Sequence, residues 1–176
     1  MTREEVNDLA LSKIDNTKYM ILELITGYGK TKVAIDLINH ICDRVFKNDE
    51  CPTTILILVA KTVHKQTWKD EIKKWGGIKS DYITIECYES LKNYENSYFD
   101  VVVADEMQHL SEARMEVLES IHVDEAFIGL SATIKRDMRD YFIHNHKAEV
   151  IKCSLKDAVE DEVLPEPVVY LLPLSL

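Results

Sequence analysis

Two stretches of this chain carry residue types suited to phosphate chemistry. The first is Thr26-Gly27-Tyr28-Gly29-Lys30-Thr31. It lies between an apolar run, residues 19–25, and a segment with Ala34, Leu37, Ile38, Ile41 and Val45 at helical spacing. Strand, glycine turn, Lys-Thr and helix form the arrangement that wraps backbone N–H groups around a nucleotide's phosphates. Gly27 and Gly29 let the backbone approach, Lys30 reaches the terminal phosphates, and Thr31 is a hydroxyl ligand for Mg²⁺. The full phosphate-loop pattern has a further glycine where this chain has Leu24, so the strict pattern fails. Tyr28, between the glycines, is expected either to shield the phosphates or to pack on the surface.

The second stretch is Val101-Val102-Val103-Ala104-Asp105-Glu106, an apolar strand delivering two adjacent carboxylates at its end. Phosphoryl transfer needs Mg²⁺ to neutralise phosphate oxygens and a group to orient the attacking water. Asp105 suits the first task and Glu106 the second, as general base or water positioner. Downstream, Gly129-Leu130-Ser131-Ala132-Thr133 offers two small hydroxyls that can bond to the acidic pair and sense a bound phosphate. Taken alone, that stretch is equally an ordinary strand-to-helix turn capped by Thr133.

Positioning these groups requires alternating elements. Thr2 and Glu5 fit a capping box, followed by the stripe Val6, Leu9, Ala10 and Ile14. Strands are expected over 19–25, 53–59, 82–87, 99–104, 126–130 and 148–153. Helices are expected over 32–46, 61–75 (stopped by Gly76-Gly77), 111–121 with Met115, Leu118 and Ile121 inward, and 136–142. This order predicts an α/β sandwich of three layers, with a mainly parallel sheet and its ligand at the carboxyl ends of the strands. Residues 1–154 form the nucleotide-binding domain. Residues 155–176 read as a short amphipathic helix, a turn bracketed by Pro165 and Pro167, and an apolar strand.

Composition sets limits. The 176 residues are 46% hydrophobic, enough for one ample core. No apolar run approaches the roughly 20 residues of a membrane span, and residues 1–5 lack a signal-peptide core. Cys42, Cys51, Cys87 and Cys153 form no CxxC pair, consistent with reduced thiols in a cytoplasmic protein. The six histidines show no metal spacing beyond the weak His144/His146 pair. A formal charge of −10 excludes a surface that grips nucleic acid everywhere, but not a local strip. The clearest strip is Lys61, His64, Lys65, Lys69, Lys73 and Lys74, which composition alone reads as a solvated face balanced by Asp70 and Glu71. Trp68 and Trp75 are candidates for base stacking, although helix packing is the commoner use of such rings.

The Gly-Tyr-Gly-Lys-Thr loop, the Asp-Glu-Met-Gln box and the Ser-Ala-Thr triplet, in this order, resemble motifs I, II and III of superfamily 2 helicases and translocases. The likeness is closest to the DEAD/DEAH-like members that include restriction-enzyme motor subunits. Leu58-Val59-Ala60-Lys61-Thr62, with Gln66 following, is similar to motif Ia, and Tyr88-Glu89-Ser90-Leu91 to the motif Ib region. The run from Ser131 to Asp137 resembles the family's Ser-Ala-Thr-Pro-x-Arg, with Ile134 in place of proline.

The resemblance implies the first of two RecA-like domains of an ATP-driven motor on nucleic acid, DNA in preference to RNA. It implies that the loop Thr26, Gly27, Tyr28, Gly29, Lys30 and Thr31 binds ATP, with Lys30 on the β- and γ-phosphates. Thr31 and Asp105 would hold Mg²⁺, Glu106 would activate water, and Gln108 would couple hydrolysis to the partner domain. Ser131 and Thr133 would link nucleotide state to movement, and Lys61, Thr62 and Ser90 would touch the nucleic-acid backbone. Residues 155–172 resemble the run into a second RecA-like domain, whose arginine finger, or a partner protein's, is worth about 10³–10⁵ in rate. No glutamine precedes Gln66, so the upstream adenine-reading glutamine of many relatives is missing, and the box histidine comes one place late, at His109. Two other functions fit parts of the pattern: a stand-alone phosphate-loop kinase or switch NTPase, and a non-catalytic adaptor that uses nucleotide structurally.

Overall fold

The continuous apolar runs become strands covered on both sides, as a parallel sheet requires. The computed structural model describes residues 1–25, 28–49, 53–78 and 82–153; the expected connector over 155–176 lies outside them. Six strands are described: β1 (Tyr19–Leu24), β2 (Ile55–Val59), β3 (Ile83–Cys87), β4 (Tyr98–Ala104), β5 (His122–Ser131) and β6 (Glu149–Cys153). They form one sheet in the order β3-β2-β4-β5-β1-β6, and every pairing is parallel.

Five α-helices among the described residues cover it: α1 (Arg3–Ile14), α2 (Lys30–Asp49), α3 (Thr62–Trp75), α4 (Glu112–Ser120) and α5 (Arg136–His146). Because side chains alternate along a strand, Met20, Leu22 and Leu24 of β1 enter one apolar cluster with Val6, Ile38 and Trp68 of the first three helices. Ile21 enters the other, with Leu118 of α4 and Phe142 of α5. The result is the three-layer RecA-like α/β/α sandwich. Thr2 and Glu5 close the expected capping box, Glu5 N–H donating to Thr2 Oγ1 at 3.1 Å and Thr2 N–H to Glu5 Oε2 at 2.8 Å. No helix among the described residues is long and apolar enough to cross a membrane.

Element boundaries differ where charge interrupts the pattern. β5 starts at His122 instead of residue 126, because β4 pairs with it from Tyr98↔His122 onward despite Asp124 and Glu125. α2 begins at Lys30 and α5 reaches His146, each longer than its apolar stripe alone suggests. Residues Tyr88–Tyr94, between two of the expected strands, form a 3₁₀ stretch.

Asp100, only 9% exposed, lies against the start of β2. Its Oδ2 accepts from Thr54 N–H at 2.8 Å and from the Thr54 hydroxyl at 3.1 Å, while its Oδ1 accepts from the Tyr98 hydroxyl at 3.0 Å. A buried carboxylate is costly unless hydrogen-bonded. Replacing Thr54 by Val removes one of its donors while keeping side-chain shape. The expected loss is about 1–3 kcal/mol in urea unfolding with an unchanged slope.

Candidate functional site

Sheet order fixes the site. β5 lies between β4 and β1, so the segments leaving these three strands share one edge, where open parallel sheets receive ligands. After β1, Gly29 has φ +82°, a left-handed conformation that a β-carbon would strain, and Lys30 opens α2. Thr26 and Gly27 lie outside the described residues. Tyr28 differs from expectation: its ring is 0% exposed and packs into the core cluster instead of shielding a ligand or lying on the surface. Its N–H donates to the Ile25 carbonyl at 3.1 Å. The Lys30 side chain is 12% exposed, with Nζ 3.8 Å from Glu106 Oε1.

After β4, Asp105 is held from both layers of helices. Trp68 of α3, 1% exposed, donates its indole N–H to Asp105 Oδ2 at 2.9 Å. The Glu106 amide donates to Oδ1 at 2.9 Å, and the Tyr88 hydroxyl to the Asp105 carbonyl at 2.6 Å. Burial pushes the Asp105 carboxyl above its ordinary value of 3.8; the Trp68 bond opposes this, nearby Glu106 adds to it, and Lys30 and the Glu106 amide oppose it. Burial, then the charges of Asp105 and Glu106, raise the Tyr88 hydroxyl well above 10, so it stays a donor. Glu106 itself is left-handed, φ 48° and ψ 55°, a conformation costing a non-glycine residue about 1–2 kcal/mol. That turn starts the 3₁₀ segment Met107–His109 and brings Gln108 back over the strand ends.

Gln108 joins two strand ends. Its Nε2 donates to Glu106 Oε2 at 2.6 Å, and its Oε1 accepts from the Ser131 hydroxyl at 2.8 Å. Ser131 is fully buried at the end of β5. Its hydroxyl also lies 2.5 Å from the Thr133 carbonyl and accepts from Thr133 N–H at 3.2 Å. One hydroxyl has one proton, so Ser131 serves either Gln108 or Thr133 at a given moment. Thr133 takes part through its backbone, its side chain being exposed. The hydroxyl expected to meet the acidic pair directly therefore reaches it through Gln108. Gly129 makes the turn fit: a β-carbon there would lie 2.6 Å from Met107 Sδ.

Lys61 and Thr62, both exposed, sit at the start of α3, and the Thr62 hydroxyl lies 3.9 Å from Cys87 Sγ at the end of β3. Ser90, half-buried, follows in the 3₁₀ stretch. Elsewhere on α3, Lys65 pairs with Glu86 and Gln66 donates to Asp70. Trp75 is 42% exposed beneath Lys32 and Lys74.

Residues 2–136 match the family described as type III restriction enzyme, res subunit. The chain belongs to that family. It has the fold of a superfamily 2 helicase-like N-terminal domain, and the solved structures similar to it include three with the following matches. The bacteriophage T4 UvsW helicase aligns with TM-score 0.61 at 15% identity, over 84% of this chain and 59% of its own. The SWI2/SNF2 ATPase core of Sulfolobus solfataricus, in complex with dsDNA, gives 0.56 at 18% identity, over 75% and 31%. The type ISP restriction-modification enzyme LlaGI, as a nuclease-deletion mutant with a DNA substrate mimic, gives 0.63 at 14% identity, over 92% and 20%. The chain thus spans between 20% and 59% of these proteins. No curated protein matches it by sequence.

Within this res-subunit domain the residue that motif reasoning missed is Trp68, read as a base stacker or packing ring. A helical tryptophan gives no sequence sign that its N–H faces a carboxylate on another element. Since the folded Asp105 carboxyl titrates above 3.8, its contribution to stability falls as pH rises from that value through the folded pKa, and is constant above it. Trp68→Phe removes the donor and leaves a smaller apolar ring, moving that pKa further up, with a pH-independent packing cost added. The expected destabilisation is about 1.5–3 kcal/mol near neutral pH. It should be smaller in acid, where Asp105 is protonated in both states; equal losses at both pH values in thermal melts would contradict the assignment.

Proposed function

We propose that this domain binds Mg-ATP and hydrolyses it as the first RecA-like domain of a DNA helicase or translocase. The observation that supports this most is the chain Lys30–Glu106–Gln108–Ser131, which ties the segments after β1, β4 and β5 into one unit. In this reading Lys30 and the first-turn amides of α2 neutralise the phosphates, and the backbone of Thr26, Gly27, Tyr28 and Gly29 completes the loop around them. Lys30 exchanges Glu106 for phosphate, which frees Glu106 to take a proton from the attacking water.

Thr31 and Asp105 suit Mg²⁺, a hard cation that prefers oxygen ligands. The Thr31 hydroxyl makes no hydrogen bond among the described residues, and each Asp105 oxygen keeps a free lone pair beyond its one bond. When bound, the ion neutralises charge on the transferring phosphoryl group. Gln108, Ser131 and Thr133 then carry the state of Glu106 toward a second RecA-like domain. That domain, or a partner protein, supplies an arginine worth about 10³–10⁵ in rate. Lys61, Thr62 and Ser90 hold a nucleic-acid backbone; two of the similar structures contain DNA or its mimic, which favours DNA.

Calorimetric titration with ATP analogue and Mg²⁺ tests the first part. Lys30→Ala removes charge-assisted bonds and should weaken binding about 10–100-fold. Glu106→Gln should bind as well as or better than the parent, because the competing anion is gone, while turnover falls about 10²–10⁴-fold. A Lys30→Ala protein with unchanged affinity would overturn the reading. For nucleic acid, Lys61→Ala should weaken single-strand binding evenly across sequences and lower the slope of log affinity against log salt by about 0.7. A sequence-dependent loss in fluorescence anisotropy would contradict backbone contact.

A further inference from the structure

Glu23, a charged residue with no part in the mechanism above, is almost wholly buried, at 5% exposure, one residue before the end of β1. In the parallel register it lies opposite Ser131 on β5 and opposite Lys152 on β6. Its Oε1 accepts from the backbone N–H of Ile134 at 2.9 Å. Its Oε2 is buried without a hydrogen bond among the described residues, facing Lys152 Nζ at 3.8 Å and an Arg139 terminal nitrogen of α5 at 4.0 Å. A buried carboxylate is maintained against its desolvation cost only when donors and countercharge hold it.

We propose that Glu23 is a positioning residue for the coupling segment after β5, a role that rests on the nucleotide-binding reading of the same edge. The run from Ser131 to Asp137 resembles a helicase pattern with proline at the fourth place, where this chain has Ile134. Proline restrains a segment by its ring but has no N–H to donate; isoleucine lacks the ring and offers the N–H. Glu23 captures that N–H, and so fixes the 131–134 turn to the very strand that feeds the phosphate loop. Ser131, its neighbour in register, is thereby kept within reach of Gln108. Arg139 and Lys152 supply the countercharge and attach the same carboxylate to α5 and β6. Movement of β1 on nucleotide binding is transmitted to the 131–134 turn through this bond, independently of the Lys30–Glu106–Gln108 route.

The test is a double substitution read by amide hydrogen exchange and by nucleotide affinity, in this chain. In Glu23→Leu the Ile134 amide should exchange at least tenfold faster than in the parent. In Glu23→Gln, which keeps an acceptor oxygen in the same shape, most of that protection should remain. Ile134→Pro should be strongly destabilising in the parent, where it strips the carboxylate of its donor, and much less so in the Glu23→Leu background, where the ring replaces the lost restraint. Mg-ADP should protect amides 131–134 in the parent and in Glu23→Gln but not in Glu23→Leu, while its dissociation constant stays within about threefold in all three. A merely structural carboxylate would not separate nucleotide-dependent protection from affinity in this way. Equal exchange of the Ile134 amide in parent and Glu23→Leu would overturn the proposal, as would an equal cost of Ile134→Pro in both backgrounds. Failure of the parent to bind Mg-ADP would instead overturn the nucleotide reading, since the exchange and stability arms need no ligand.

Discussion

A single carboxamide holds the strand ends together. Gln108 donates to Glu106 and accepts from Ser131, so the segment after β4 is tied to the end of β5, and Glu106 in turn faces Lys30 after β1. This depends on sheet order and register. With β5 between β4 and β1, Ser131 pairs opposite Glu23 and shares its face. A slip of one residue would turn Ser131 toward the opposite helical layer and leave Gln108 without its donor. The apolar strands are thus the means by which four polar side chains, Lys30, Glu106, Gln108 and Ser131, converge.

The second constraint is how Asp105 is fixed. Trp68 reaches it from one layer and Tyr88 from the other, so both halves of the core must be formed before the carboxylate is in place. Burial makes that carboxylate less willing to ionise, and the indole N–H offsets part of the penalty. The left-handed Glu106 next to it adds local backbone cost. Such costs cluster where geometry serves function and are borne by the surrounding packing. The acidic pair is thus kept close, with Trp68 and the Glu106 amide donating to Asp105, Gln108 donating to Glu106, and Lys30 as the neighbouring cation.

Much of this was legible in the sequence because it depends on local pattern. Apolar runs of strand length, glycines beside Lys-Thr, and acids at a strand end each follow from nearest neighbours, and they gave the sandwich and the residues Lys30, Asp105, Glu106 and Ser131. What was not legible depends on distant partners. Tyr28 lies between two glycines in a polar loop, yet its ring is core. Trp68 looks like any helical aromatic until the turn from β4 brings Asp105 to it. Glu23 reads as a lone acid in an apolar strand, and only the crossover from β5 to α5 reveals the N–H it accepts. The early part of β5 was hidden by Asp124 and Glu125, whose charges interrupt the apolar run although pairing with β4 continues.

The central claim is that Gln108 and Ser131 act as one unit, and a double-mutant cycle on them addresses it most directly. Ser131→Ala, Gln108→Ala and the double variant would be compared by equilibrium unfolding and by affinity for Mg-nucleotide. The account predicts an interaction energy of about 0.5–3 kcal/mol in stability, with a matching non-additivity in nucleotide affinity. Losses that add within about 0.3–0.5 kcal/mol in both measurements would contradict it.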